Sequence, residues 1–288
     1  MNVKIITDSA SDLPKDIIDE LGIDVVPLLV YLGEEEYLDS ITLDSITLFR
    51  NMREGKVYKT SQASYQSLRD AFVRCAEAKQ PAFYVAFSSE LSGTYSAAVM
   101  VKHEVLEEYP DLQLEILDTR CASGGHGLVV REAALMAQAG QSLAEIVEAT
   151  KYNALHMEHI FTVDDLEYLY RGGRVSKTAA FIGGLLNIKP LLNVEDGKLI
   201  PIEKIRGRKK VLTRMVEVMA ERGAKDLSNQ VIGIFHGDDL EAAEQLKALI
   251  EERFGCKHFI ITPIGCAVGA HSGPGTLALF FLNAPPLN

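Results

Sequence analysis

The sequence has no tryptophan and only four cysteines in 288 residues, Cys75, Cys121, Cys256 and Cys266. No two cysteines stand in a Cys-x-x-Cys spacing, which excludes a disulfide framework and a thiolate zinc site and fits free thiols in a reducing compartment. Long apolar runs are also missing, since none approaches the roughly 18 residues that span a bilayer. The amino terminus, Met1 to Asp8, reads as a short strand that meets polar residues at once, without the apolar core of a secretory signal. The expectation is a soluble, cytoplasmic protein. Positive charge is scarce: 29 Lys and Arg against 40 Asp and Glu give a formal net charge of -11. Such a surface repels phosphate backbones and argues against nucleic acid as a partner. The seven histidines form no His-Glu-x-x-His or paired Cys/His pattern, so no metal site is expected.

What is present is an ordinary globular balance, 47% hydrophobic and 24% charged, in a chain long enough for about two domains. In the first half, strand and helix signals alternate. Buried strands are expected at 3–6, 82–87 and 112–117, and an apolar, β-branched stretch at 23–32 is interrupted by Pro27. Helices are expected after Pro14 as far as Gly22, at 43–53, after a Ser64 cap, behind Thr94, and at 127–139 and 143–156. That alternation implies right-handed crossovers and a parallel sheet with ligands at the carboxyl ends of its strands. From His159 the rhythm changes. Strands at 188–194 and 198–205 are joined by Glu195-Asp196-Gly197, a hairpin signal. An apolar helix at 176–186, a helix at 209–223 and strands at 159–163, 231–235, 258–262 and 276–282 complete the pattern. The predicted fold class is α/β with two domains. An N-terminal parallel-sheet α/β domain covers 1–157, a C-terminal α+β domain with a mixed or antiparallel sheet covers 158–283, and 284–288 is a tail.

Polar segments at 7–12, 60–64, 88–95 and 118–125 follow strands or precede helices, where an α/β site would form. Thr60-Ser61-Gln62-Ala63-Ser64 carries four hydrogen-bonding side chains ahead of a helix, and capping alone needs only one. Ser88 to Tyr95 joins a buried strand to a helix; there Ser92 offers a neutral donor and Gly93 lets a ligand reach backbone N–H groups, which suits a carboxylate or phosphate. The segment is neither a P-loop nor Gly-x-Ser-x-Gly. Gly269 to Thr276 holds three glycines around His271, read as a rigid loop with a partly exposed imidazole able to donate to an oxyanion. Arg171-Gly172-Gly173-Arg174 and Lys204 to Lys210, with Arg206 and Arg208, are basic islands. They are either solvated helix ends or a patch for a phosphate or an acidic partner.

Five short motifs occur in order: Thr7-Asp8-Ser9-Ala10-Ser11-Asp12-Leu13-Pro14, Thr60-Ser61-Gln62, Leu91-Ser92-Gly93-Thr94-Tyr95, Arg171-Gly172-Gly173-Arg174-Val175-Ser176 and Gly273-Pro274-Gly275-Thr276. Together they resemble the DegV family, whose characterised members are the fatty-acid-binding subunits of bacterial fatty acid kinase. The likeness spans residues 2 to 283, with Ala63 where many relatives carry proline. The resemblance implies a single long-chain fatty acid held between the two domains, with Thr60 and Ser92 bonding its carboxylate and His271 close by. It implies that Ser61 and Gly93 complete that end, and that the chain runs past Phe181 to Leu186. It further implies that Arg171, Arg174, Arg206 and Arg208 dock an ATP-binding kinase subunit, which phosphorylates the acid to an acyl-phosphate for phospholipid synthesis. On that basis the chain is a binding subunit without catalysis, metal or cofactor of its own, and its role leaves room for transient membrane contact. Two alternatives stay open: a binding module for a phosphorylated small molecule, suggested by the basic islands, and a hydrolase with Ser92 as nucleophile and His271 as base.

Overall fold

The computed structural model describes residues 2–176 and 188–287. Its first layer is a four-stranded parallel sheet in the order β2 (Asp24–Val26), β1 (Lys4–Asp8), β6 (Ala82–Ala86), β7 (Leu114–Asp118). Every residue of β6 is buried because helices cover both faces of the sheet. Phe83 and Val85 pack on one side with α5 (Ser123–Gln138) and α6 (Leu143–Leu155), and Ala82, Tyr84 and Ala86 on the other with α3 (Tyr65–Glu77) and α4 (Thr94–Glu108). Helix α1 (Lys15–Leu21) ends at Gly22 in the left-handed region, as its sequence suggests. Ser64 caps α3 by accepting from the Ser67 N–H at 3.0 Å.

The second layer is a six-stranded mixed sheet. Its order is β10 (Lys198–Arg206), β9 (Ile188–Glu195), β8 (Met157–Thr162), β13 (Leu277–Leu282), β11 (Val231–His236), β12 (His258–Pro263), antiparallel except for β11 with β12. Side chains alternate across it. Leu277, Leu279 and Phe281 face α8 (Arg208–Arg222) and α9 (Leu240–Phe254). Ala278 and Phe280 face the first layer, in one core with Leu48 and Phe49 of α2 (Ser45–Arg53).

A third sheet, unread in the sequence, is antiparallel: β4 (Glu35–Leu38), β3 (Leu29–Leu32), β5 (Tyr58–Ser61). Pro27 does break the 23–32 stretch, with β2 ending at Val26 and β3 starting at Leu29. Thr60 and Ser61 therefore lie on a strand, while Ser64 alone does the capping.

Two glycine-rich segments read as loops are helical where the rings of other elements sit against them. Helix α10 (Cys266–Ser272) takes up the first half of the expected 269–276 loop. A Cβ at Gly269 would stand 2.8 Å from Phe49 and 2.9 Å from Leu48, so the glycine lets α10 approach α2. Helix α5 starts four residues before the expected Gly127, because bare backbone at Gly124 and Gly125 admits Phe280 and His159. The helix expected at 176–186, and with it the acyl-lining segment Phe181 to Leu186, lies outside the described residues beyond Ser176.

The polar 7–12 segment joins the layers. Asp12 accepts from the Gly265 N–H at 3.0 Å and from the Ser123 hydroxyl, and Asp39 accepts from the Cys266 N–H at 2.8 Å and the Ser9 hydroxyl at 2.7 Å. Both carboxyls are buried, and burial pushes their pKa values up. They hold the start of α10, and so fix where His271 stands.

Candidate ligand-binding site

Between the layers lies a cavity of 220 Å³. The structure brings Thr60, Ser61, Ser92, Gly93 and His271 together on its wall. Thr60 stands at the end of β5 and His271 near the end of α10, with Thr60 Oγ1 and His271 Nε2 2.6 Å apart. The two polar loops are stitched to each other. Ala63 N–H donates to Thr94 Oγ1 at 3.2 Å, and Thr94 Oγ1 pairs with Ser92 Oγ at 2.9 Å. Gln62 lies directly over Gly93, where a Cβ would meet its Oε1 at 2.2 Å. Ser61, Gln62 and Gly93 are exposed, so this end of the cavity reaches the surface.

Charge is concentrated behind this polar end. Burial pushes His271 down to about 4, and Arg174 and Arg171 reinforce the shift. The imidazole is therefore neutral at pH 7. Arg174, expected on a docking surface, lines the cavity instead. Its Nε and Nη2 donate to Leu91 O at 3.0 and 2.8 Å, and Nη1 donates to Gly172 O. Burial lowers its pKa, yet a guanidinium stays protonated. Its partners are carbonyls, and among the described residues no carboxylate neutralises it. Ser272 also lines the cavity, and its buried hydroxyl has no partner among the described residues.

The remaining wall is apolar: Phe161, Leu169, Val194, Leu199, Ala278 and Phe280. His159 belongs to this part. Its Nε2 accepts from the Ala122 N–H at 3.1 Å, which places the proton on Nδ1, donated to Met157 O at 3.1 Å. Burial lowers it to about 4. With both nitrogens bonded to backbone, the ring borders the cavity as an apolar plate, edge-on to Phe280 at 5.5 Å between centroids.

The four expected docking arginines do not form one patch. Arg171 is exposed and stacks on Tyr168 at 5.1 Å. Arg206 is exposed at the end of β10, with no ion pair to a described residue. Arg208 is half-buried and paired with Asp239 at 2.5 Å. Nor do Ser92 and His271 pair as nucleophile and base. His271 Nε2 is engaged by Thr60, its Nδ1 abuts Gly172, where a Cβ would fall 1.9 Å away, and the Ser92 hydroxyl bonds Thr94. Arg174, Ser272 and His159 are among the cavity residues that the sequence did not place there. Arg174 was visible as a charge, but only the fold shows which way it faces.

The model of the DegV family, described as uncharacterised proteins, matches residues 2–284. The chain belongs to the DegV family. A DegV domain-containing protein of Clostridium perfringens is 42% identical over 281 residues, covering 96% of each chain. Among solved structures, a DegV family protein from Thermus thermophilus described for its fatty acid binding superposes with a TM-score of 0.89 at 28% identity, covering 97% of this chain and 99% of that one. The fatty acid kinase B3 protein of Streptococcus pneumoniae, loaded with linoleic acid, gives 0.86 at 25% identity, covering 98% and 99%. These DegV structures share the two-layer architecture, parallel sheet against mixed sheet. Among the described residues, no helix is long and apolar enough to cross a membrane.

Proposed function

We propose that this DegV protein binds a single long-chain fatty acid. Its carboxylate is held by Thr60, Ser61, Ser92, Gly93 and His271, and its chain lies along the apolar wall between a domain of residues 1–157 and one of 158–283. The protein presents that carboxylate to a separate ATP-dependent kinase subunit, which phosphorylates it to an acyl-phosphate for phospholipid synthesis in the cytoplasm. The chain is then a lipid-binding subunit and performs no chemistry alone.

One observation carries this: an apolar cavity whose polar end holds neutral donors and a guanidinium whose partners among the described residues are carbonyls. Burying a methylene contributes about 0.8 kcal/mol, so a long chain offers on the order of 10 kcal/mol gross. Burying a carboxylate costs several kcal/mol unless it is hydrogen-bonded and paired. The hydroxyls of Thr60 and Ser92 and the charge of Arg174 offset that cost at one end, and the exposed rim at Ser61 and Gly93 leaves the carboxylate within reach of a second protein. The fatty-acid-bound DegV structures support the lipid, and the Streptococcus pneumoniae protein supports the kinase partner. A phosphorylated ligand would need the basic islands as a unit, and Arg208 is already paired with Asp239.

The double variant Thr60→Ala/Ser92→Ala, reconstituted with an ATP-dependent fatty acid kinase subunit, tests the assignment. Each hydroxyl lost costs about 1 kcal/mol, so acyl-phosphate formation at limiting acid falls roughly thirtyfold or more. Formation at the parent rate would remove these residues from the carboxylate site.

A further inference from the structure

A second cavity, of 350 Å³, lies behind the first, and His159 and Val194 line both. The strands give the order in which the two spaces are met. On the same face of β8, Phe161 lines the first cavity, His159 both, and Met157 the second. Alternate residues on a strand advance about 6.7 Å, so these three mark successive levels of one passage. The neighbouring strands supply the rest of each level. Phe280 of β13 pairs with His159. On the other side Ile160 pairs with Asn193, and continuing that antiparallel register by one residue sets Val194 beside His159. Val194, His159 and Phe280 thus form a single row across three strands. Beyond that row the lining is mixed: Met157, Ala154 and Leu155 supply apolar surface, and Asp118, Arg120 and Lys151 supply charge towards the rim.

We infer that this row, and above all His159 with Val194, is the end wall of the acyl cavity and sets the longest chain it accepts, with the second cavity as a groove behind it that opens to solvent past Leu155, Arg120 and Lys151. The inference rests on the fatty-acid reading of the first cavity. The wall is built to stand still. The imidazole is pinned at both nitrogens by Ala122 and Met157, and Gly125 leaves the ring its place, since a Cβ there would come within 2.2 Å of Nε2. A histidine with both nitrogens spent can end an apolar passage without offering the chain a polar atom. Removing the wall opens the passage to the second cavity, and each further methylene covered by Met157 and Ala154 there favours the longer acid by up to about fourfold.

The test is competitive loading of the intact protein with an equimolar mixture of palmitate, stearate, arachidate and behenate, read by native mass spectrometry. Val194→Ala leaves the His159 hydrogen bonds intact and shifts occupancy towards the longer acids; His159→Ala shifts it further; Val194→Phe shifts it towards the shorter ones. Adding Met157→Phe to Val194→Ala, which narrows only the second cavity, returns occupancy towards the parent ranking. The parent ranking in both Val194 variants overturns the wall while leaving the fatty-acid reading in place. A parent protein that takes up none of the four acids removes the reading and the wall with it.

Discussion

Two histidines line the cavity, half-buried His271 and buried His159, and burial lowers both to about 4. His271 bonds a hydroxyl, Thr60 Oγ1, and stands beside Arg171 and Arg174. His159 spends both nitrogens on backbone groups, Ala122 N–H and Met157 O, and packs against Phe280. The same side chain, in the same charge state, thus belongs to a polar end in one place and to an apolar wall in the other. Partners decide what an imidazole presents to a ligand, and residue type does not.

Arg174 separates the surroundings of the two histidines most strongly. Arg174→Glu places a carboxylate where the account puts the carboxylate of the ligand, and fatty-acid affinity should fall by about a hundredfold or more. His159→Phe should keep the ligand, and loses both backbone hydrogen bonds of the ring, from the Ala122 N–H and to Met157 O, at about 1–3 kcal/mol of folding stability each. Fluorescent fatty-acid displacement and chemical denaturation separate the two outcomes. Equal loss of ligand from both variants would mean that the two ends are not distinct.

A second effect comes from protonation. Unfolded histidine titrates near 6.5 and these two near 4 when folded, so the unfolded chain takes up protons across that window. The histidine contribution to stability is complete above the window and is lost as pH falls through it. Asp8, Asp12 and Asp39, raised by burial, act with the opposite sign, favouring the fold at low pH and losing that contribution as pH rises through their folded values. Comparing the parent with His271→Gln cancels the aspartates. Between pH 7 and 4 the parent should lose up to about 3 kcal/mol more than the variant. Parallel denaturation midpoints across that range would show that His271 is not held neutral.

The smallest effect belongs outside the cavity. Arg206→Glu should leave fatty-acid loading unchanged and lower acyl-phosphate formation with the kinase subunit severalfold, as removal of an exposed charge from a docking face does. Arg208→Glu differs, because it also breaks the pairing with Asp239. Loss of loaded fatty acid from Arg206→Glu would bring that residue into the lipid site.

Much of this was legible in the residues themselves. Alternating strands and helices point to the parallel sheet, Asp196-Gly197 to the hairpin, Thr60 to a polar group beyond capping need, Ser92 to a donor between strand and helix, and His271 to an imidazole in a glycine-rich loop. What could not be read depends on contacts far apart in sequence. Gly269 signals a loop until Phe49 is found against it, and Gly124 and Gly125 do so until Phe280 and His159 are. The same holds for Asp12 and Asp39, whose partners Gly265 and Cys266 lie more than two hundred residues away. Arg174 read as surface charge because nothing local in Arg-Gly-Gly-Arg records that its guanidinium folds back onto Leu91 O.

The central claim is that the space between the layers holds one fatty acid by its carboxylate. Native mass spectrometry of the purified protein, with the ligand extracted and identified, tests it most directly. The expected result is a mass excess that resolves into one long-chain fatty acid per chain and disappears in Arg174→Glu. A bare polypeptide that takes up no added fatty acid, or one whose bound mass is a phosphate ester, would contradict it.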